Sequence, residues 1–323
     1  MIKEASIEII QKCLNRCVHC SSCSTEQSPL ALQLEDIVNL VEGLKNLGVE
    51  RICLSGGEPL LHPDIIKIVE IVREKGITTD IYTCGIVGEA VKPKHLTISF
   101  LKALKKAGVN ALLFNVQSVN ERKYNQITQS ERHFPLVCKS ISNAKKCGIR
   151  TEIHFVPMKQ NIADAIEVIQ FAEKAGVEQV NFLKLVPHGR ALKNIKSIQP
   201  SEEEIFNLQV ELRRLKSQGK CIRLGLPLSE RESSPPCHAV REKLYIKYDG
   251  SVFGCEAFKY LFFRDKSGVE TPPDTIFQND IESIYQNSDY LKRSLELVDF
   301  FENRDLGCEN CPVQKYFKKQ GNE

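Results

Sequence analysis

Apolar positions along the chain follow two alternating rhythms. Ile37, Leu40, Val41, Leu44 and Leu47 recur at helical spacing and form one stripe, which predicts an amphipathic helix there. Helical stretches of this kind stop at Gly48, Gly76, Gly108, Gly148 and Gly176, each suited to the left-handed residue that ends a helix. A short β-branched run follows each glycine: Arg51–Leu54, Thr78–Tyr82, Ala111–Val116, Thr151–Val156 and Val180–Val186. With an opening strand at Ala5–Ile10 this makes six strand–helix units. Such alternation predicts an α/β fold, a parallel sheet with right-handed crossovers covered by helices. Six units cannot close an eight-stranded barrel, so the expected architecture is a partial (β/α)6 barrel or an open sheet. In either case ligands gather at the C-terminal ends of the strands.

The rhythm changes after about residue 195. Ser201 before Glu202, Glu203 and Glu204 reads as a capped helix start, running to Ser217. Gly219 and Cys221–Leu226 give one more strand, and Ser233-Ser234-Pro235-Pro236 reads as a linker. Leu244–Phe253 contains two β runs about Asp249-Gly250, a hairpin signal, and the chain's last part is helical around a Cys-x-x-Cys. The expected division is a core at residues 1–200 and a small hairpin-plus-helix appendage at 201–323.

Composition narrows the class. With 42% hydrophobic and 26% charged residues the 323-residue chain is neither disordered nor collagen-like. A net charge of +3 gives no argument for nucleic acid or an anionic membrane. No apolar run approaches the ~18–20 residues of a membrane span, and Met1-Ile2-Lys3-Glu4-Ala5 lacks a signal-peptide core. The cysteine count stands out: 13, beside 2 Met and no Trp. Without an export signal these thiols are expected in a reducing cytoplasm, where metal or redox chemistry is the better reading than disulfides.

Three of them, Cys13, Cys17 and Cys20, follow the first strand at spacings of four and three, so a single loop can wrap one small metal centre. Soft thiolates select zinc or an iron–sulfur cluster over hard cations. Cys23 leaves two readings open at this point: a closed four-thiolate site, such as a structural zinc knot, or a three-thiolate cluster with one iron open. The second strand ends in Gly56-Gly57-Glu58-Pro59 at the same sheet edge. There two glycines permit close backbone approach and a carboxylate can accept from an ammonium group.

Cys-x3-Cys-x2-Cys followed by Gly-Gly-Glu-Pro resembles the radical S-adenosylmethionine (radical SAM) superfamily, over residues 4 to 195. The resemblance implies that Cys13, Cys17 and Cys20 bind a [4Fe-4S] cluster whose open iron takes the amino and carboxylate groups of S-adenosylmethionine. Gly56, Gly57 and Glu58 with Pro59 would hold the methionine amino group, His19 takes the family's aromatic position, and Cys23 is an extra thiol. Thr83-Cys84-Gly85 matches a turn that more often reads Thr-Asn-Gly, so its cysteine is a departure. Ser118 and Arg190, with Gln117 and Asn161, lie near strand ends where the cofactor's ribose and carboxylate need donors; Arg190 suits either the carboxylate or a surface acid. His154 lies within its strand and reads as a satisfied core histidine. The implied chemistry is reductive cleavage of the sulfonium to a 5′-deoxyadenosyl radical that abstracts hydrogen from a substrate, of the oxidoreductase or epimerase type. It needs a low-potential electron donor of the flavodoxin or ferredoxin type.

Cys237, Cys255, Cys308 and Cys311 form a second set in the appendage, suited to a closed zinc site or a fully ligated cluster. Behind a radical SAM core it resembles the twitch domain, the shortened relative of the SPASM domain. That implies one auxiliary [4Fe-4S] cluster and two clusters in all. Cys53, Cys138 and Cys147 read as small packed hydrophobes, whereas Cys84 at the active edge is the candidate catalytic hydrogen donor. No motif of a zinc protease, P-loop nucleotide hydrolase or serine hydrolase occurs. The substrate expectation is a ribosomally made peptide, matured by epimerisation, thioether formation or a carbon–carbon crosslink. The chain opens almost directly on its first strand, so leader recognition would fall to a separate protein. The alternatives are a sugar or aminocyclitol dehydrogenase or epimerase, and, from another class, a non-catalytic Fe–S or zinc redox protein.

Overall fold

The computed structural model describes all residues except 226–227, 229–235, 265–266, 303–310 and 321–323, and the side chains of 302 and 318–320. In chain order the strands begin β1 (Glu4–Ile10), β2 (Arg51–Gly56), β3 (Thr78–Thr83), β4 (Ile86–Glu89), β5 (Lys92–His95), β6 (Val109–Asn115) and β7 (Arg150–Phe155). They continue with β8 (Gln179–Phe182), β9 (Ile222–Leu224), β10 (Lys243–Ile246), β11 (Val252–Phe253), β12 (Phe263–Arg264) and β13 (Glu270–Thr271). Nine of them form one open sheet in the order β11-β10-β1-β2-β3-β6-β7-β8-β9. Every neighbouring pair in it is parallel except β10–β11. The expected α/β partial barrel is therefore present, with the six predicted core strands side by side and in sequence order.

The stops follow from backbone chemistry. Gly108 caps the helix Ile98–Ala107 at φ 111°, and its N–H returns to the carbonyls of Leu104 and Lys105. The helix Leu34–Asn46 turns Ile37, Leu40, Val41 and Leu44 into the core, as its stripe requires. Ser201 and Glu204 form a reciprocal cap at the start of Glu202–Ser217.

Three features differ from expectation. The hairpin at Leu244–Phe253 is not a separate module: β10 pairs parallel with β1, in register Glu4↔Lys243 to Ile7↔Ile246, so the appendage extends the core sheet. The sixth strand ends at Phe182, short of Val186, and irregular chain leads from there to Gly189. A small hairpin, β4–β5, lies between β3 and the next helix; its Gly88 and alternating charges give little hydrophobic rhythm to predict it. The expected linker at 233–236 falls almost wholly outside the described residues.

Strand β1 carries the information that matters for the site. Ala5, Ile7 and Ile9 join the apolar core, while Ser6 and Glu8 between them are also buried. By register this face continues across the sheet through Cys53 and Asp80, then Ala111, Leu113 and Asn115 of β6, to Glu152, His154 and Asn181. In β1 one face is thus polar and the other apolar, a two-residue alternation in a fully buried strand. Among the described residues no helix is long and apolar enough to cross a membrane.

Candidate active site

The loop after β1 holds three of the predicted metal ligands, Cys13, Cys17 and Cys20. It is fastened by its own backbone: the Cys13 N–H donates to Thr25 O at 3.0 Å and the Cys20 N–H to Cys17 O at 3.1 Å. Arg16 and Val18 donate to the carbonyls of Thr128 and Ile127, each at 2.9 Å, docking the loop on the end of the helix Glu121–Thr128. Arg190 clamps the other side. Its backbone N–H meets Cys20 O, its Nε meets Cys17 O and its Nη2 meets Ser24 O, all at 2.9 Å. The guanidinium predicted as a cofactor contact is thus engaged by the cluster loop. Gly189 allows this approach: at φ 57° it would place a Cβ only 2.4 Å from Ser21 O.

Burial, together with the neighbouring Cys13 and Cys20, holds the Cys17 thiol well above its usual range, against the pull of Arg190. Burial raises Cys20 likewise, opposed by Arg190 and by the Ser24 N–H. His19 is lowered to about 4 by burial and by Arg190, so its ring is neutral at physiological pH. Cys23 takes a left-handed backbone, φ 53°, and lies within electrostatic reach of Tyr260.

The Gly56–Pro59 turn packs directly on this loop. Gly56 (φ 131°) and Gly57 would each place a Cβ within 2.2 Å of a carbonyl oxygen, of Ile10 and Lys12 respectively. Their lack of side chains lets the Gly57 N–H reach Ile10 O at 2.7 Å and the Glu58 N–H reach Lys12 O at 2.8 Å. Glu58 is fully buried; it accepts from Leu60 N at 3.1 Å, Thr83 Oγ1 at 2.7 Å and Cys84 N at 2.7 Å. Burial raises its carboxyl, opposed by these donors and by the Cys84 thiol. Pro59 opens the 3-10 turn Pro59–Leu61 that presents the Leu60 N–H. The Cys84 thiol is held well above its usual range by contact with Cys13 first, then by burial and Glu58. Thr83 and Cys84 therefore bind the turn after β3 to the Gly-Gly-Glu-Pro turn and the cysteine loop.

Of the remaining polar predictions, Ser118 and Asn161 are satisfied within the protein, whereas His154, expected to be a satisfied core histidine, is not. Ser118 donates to Asp164 at 2.6 Å, and Lys123 pairs with the other oxygen of that carboxylate at 2.6 Å. Asn161 donates to Gln117 O at 2.9 Å, tying the ends of β6 and β7. His154 packs on Tyr82 in a tilted arrangement with ring centroids 4.6 Å apart, but its Nε2 is buried without a partner.

In the second cysteine set, burial and then the negative fields of Glu256, Cys237 and Cys311 raise the Cys255 thiol, so Cys237 and Cys311 lie within its electrostatic reach. Cys308 lies outside the described residues. The segment from Cys255 to Tyr260 joins the two cysteine regions. Glu256 accepts from Ser6 at 3.0 Å and pairs with Lys243 at 2.9 Å. Lys259 is buried beneath the first loop and donates to Glu8 at 2.9 Å, Ser22 at 2.8 Å and Tyr245 at 3.0 Å. The sequence reading missed this knot. Alternating carboxylates in a buried strand signal that partners exist, but Lys259, 251 residues from Glu8, is found only by folding.

Do these residues fit a sulfur-bound cluster? Among the described residues no three Cys, His, Asp or Glu side chains stand close enough to hold a single ion. A four-iron cluster spaces its thiolates farther apart than one ion does, and it supplies the positive charge that lets buried thiols ionise. Unpartnered buried polar atoms gather around the same loop: Asn15 Nδ2, His19 Nδ1, Ser24 Oγ and Tyr124 Oη. Buried donors without acceptors are costly, and anionic sulfur is the acceptor this pocket lacks. The residues fit.

The chain is similar to several known proteins. Over 277 residues, 84% of this chain and 72% of the relative, the chain is 24% identical to the PqqA peptide cyclase of Gluconobacter oxydans. It is 26% identical over 79% of its length to a probable GTP 3′,8-cyclase of Methanococcus vannielii, covering 84% of that protein. In fold it resembles Streptococcus suis SuiB bound to S-adenosylmethionine, with TM-score 0.73 and 16% identity over 92% of this chain and 68% of that one. SuiB bound to its precursor peptide SuiA aligns over 98% of this chain and 70% of that one, with TM-score 0.72 and 17% identity. Residues 7–172 match the radical SAM superfamily, a span that holds the cysteine loop, the Gly-Gly-Glu-Pro turn and the turn after β3, and the chain belongs to that superfamily.

Proposed function

We propose that the chain is a radical SAM enzyme that matures a ribosomally made peptide, with a second [4Fe-4S] cluster in a C-terminal unit of the twitch kind. The observation that carries this reading is the extent of likeness. The relation to a peptide cyclase spans 84% of the chain, and the likeness in fold to a peptide-bound enzyme continues through its C-terminal part. Superfamily membership brings S-adenosylmethionine and a [4Fe-4S] cluster. When bound, they supply one-electron chemistry that ends in removal of hydrogen from a substrate.

The chain's residues do the rest. Cys13, Cys17 and Cys20 would ligate the cluster from a loop that Arg190 and the helix Glu121–Thr128 hold in shape. Glu58, fixed by hydrogen bonds from Leu60 N, Thr83 Oγ1 and Cys84 N, would supply the carboxylate that faces the methionine ammonium. Gly56 and Gly57 bring that carboxylate against the loop, while Thr83 and Cys84 fix its direction. Cys237, Cys255, Cys308 and Cys311 would hold the auxiliary cluster in residues 201–323, with residues 1–200 as the catalytic core. Electrons would come from a flavodoxin or ferredoxin.

The relation to GTP 3′,8-cyclases favours a second reading, a small-molecule substrate. The deciding experiment incubates the reconstituted protein with candidate precursor peptides in deuterated water and weighs the products. Solvent deuterium at one carbon marks epimerisation, and loss of two hydrogens marks a crosslink. Turnover of a nucleotide or sugar but of no peptide would overturn the peptide reading.

A further inference from the structure

Two of the unpartnered atoms at the cysteine loop share a geometry that ligation alone does not explain. Asn15 lies between Cys13 and Cys17 and is 1% exposed. Its Oδ1 meets His133 Nδ1 at 2.7 Å, while its Nδ2 is buried with no partner. Tyr124 is fully buried, packs on Phe134 with centroids 5.3 Å apart, and its hydroxyl also has no partner. Tyr124 stands beside Asn15, within hydrogen-bonding reach of its side chain, and shares the neighbourhood of Cys84, Cys17 and Cys13. Its helix cannot drift from the loop, because Thr128 and Ile127 accept from Arg16 and Val18.

Resting on the reading of Cys13, Cys17 and Cys20 as cluster ligands, we infer that Asn15 and Tyr124 donate hydrogen bonds to the sulfur atoms of that cluster, and that His133 positions Asn15 to do so. An amide facing anionic sulfur must turn its NH2 towards it, which leaves the carbonyl oxygen for the imidazole N–H. His133 is lowered by burial, so it donates as a neutral ring. Arg190 directs its Nε and Nη2 to the carbonyls of Cys17 and Ser24 and so shapes the loop. Hydrogen bonds to sulfur stabilise the more negative, reduced form, so this set raises the cluster's potential above what three thiolates alone would give. Asn15 and Tyr124 thus tune how readily the cluster accepts its electron, and His133 acts through Asn15.

The test is a redox titration of the full-length reconstituted protein, following the paramagnetic signal that changes shape on adding S-adenosylmethionine, alongside iron content and thermal midpoint. Tyr124→Phe keeps the ring packing and should keep its iron. It should leave about tenfold less reduced cluster at a fixed potential, a shift of about 59 mV for one electron. His133→Leu should shift the potential in the same direction, and His133→Gln, which retains a donor for Asn15, should restore it. Iron-loaded Tyr124→Phe and His133→Leu with the original potential would overturn the inference and leave a buried water as the partner. Loss of iron from both variants would overturn it too, by making both residues structural. A wild-type protein that binds no iron would overturn the underlying reading as well, so the two failures are distinguishable.

Discussion

His154 is a buried imidazole on the sheet face that carries Ser6 and Glu8, and burial first, then Arg223, lowers it to about 3 from the ordinary 6.5. Its folded-state value lies below its unfolded one, so the unfolded chain binds the extra proton between those limits. Stability is therefore complete above pH 6.5 and falls as the pH drops towards about 3. His154→Phe keeps the ring on Tyr82 and removes the unpartnered nitrogen. It should leave stability at pH 7 unchanged or raised, and reduce the acid-side loss by the slope of one proton, about 1.4 kcal/mol per pH unit. Denaturant midpoints of both proteins at pH 7 and pH 5 check this; parallel losses would contradict it. At this scale the candidate ligands were legible, because cysteine spacing is local. Asn15, Tyr124 and His133 were not, since their roles depend on which buried atoms lack partners.

The elements show how the sheet makes a site from turns far apart in sequence. Six strands at their glycine-punctuated spacing could be read directly, because each helix stops at a left-handed residue and each strand is β-branched. The β10–β1 pairing could not, since the hairpin signal fixes a local turn and says nothing of which edge it joins. Nor did the sequence show why Gly57 is glycine. Its N–H and that of Glu58 reach the carbonyls of Ile10 and Lys12, and a Cβ there would lie 2.2 Å from Lys12 O and 2.3 Å from Gln11 O. Gly57→Ala should therefore push the cysteine loop from the Gly-Gly-Glu-Pro turn, costing about 1–3 kcal/mol by overpacking, and reduce iron retained after reconstitution. Gly76→Ala is the control. That position, at φ 71° with nothing within 4 Å of a Cβ, bears only backbone strain and should keep its iron. Equal iron loss in the two variants would refute the steric argument.

Across the whole molecule, the segment from Cys255 to Tyr260 ties the C-terminal unit to the first strand and the first cysteine loop. Lys259 and Glu8 are 1% and 2% exposed, and Ser22 of the loop also hydrogen-bonds Glu8. Lys259→Met would leave the Glu8 carboxylate buried without its counter-charge, at a cost of about 3–5 kcal/mol; the double variant Lys259→Met with Glu8→Leu should recover most of it. Thermal midpoints of the three proteins test the coupling, and a double variant no more stable than the single one would argue against it. The central claim is chemical: three thiolates of the N-terminal loop, without Cys23, hold the cluster that cleaves S-adenosylmethionine. Its most direct test is 5′-deoxyadenosine production by the anaerobically reconstituted protein with reductant. The account predicts product from the wild type and from Cys23→Ser, and none from Cys13→Ser, Cys17→Ser or Cys20→Ser. A fully iron-loaded wild type that makes no 5′-deoxyadenosine, or a Cys23→Ser variant as inactive as Cys17→Ser, would contradict it.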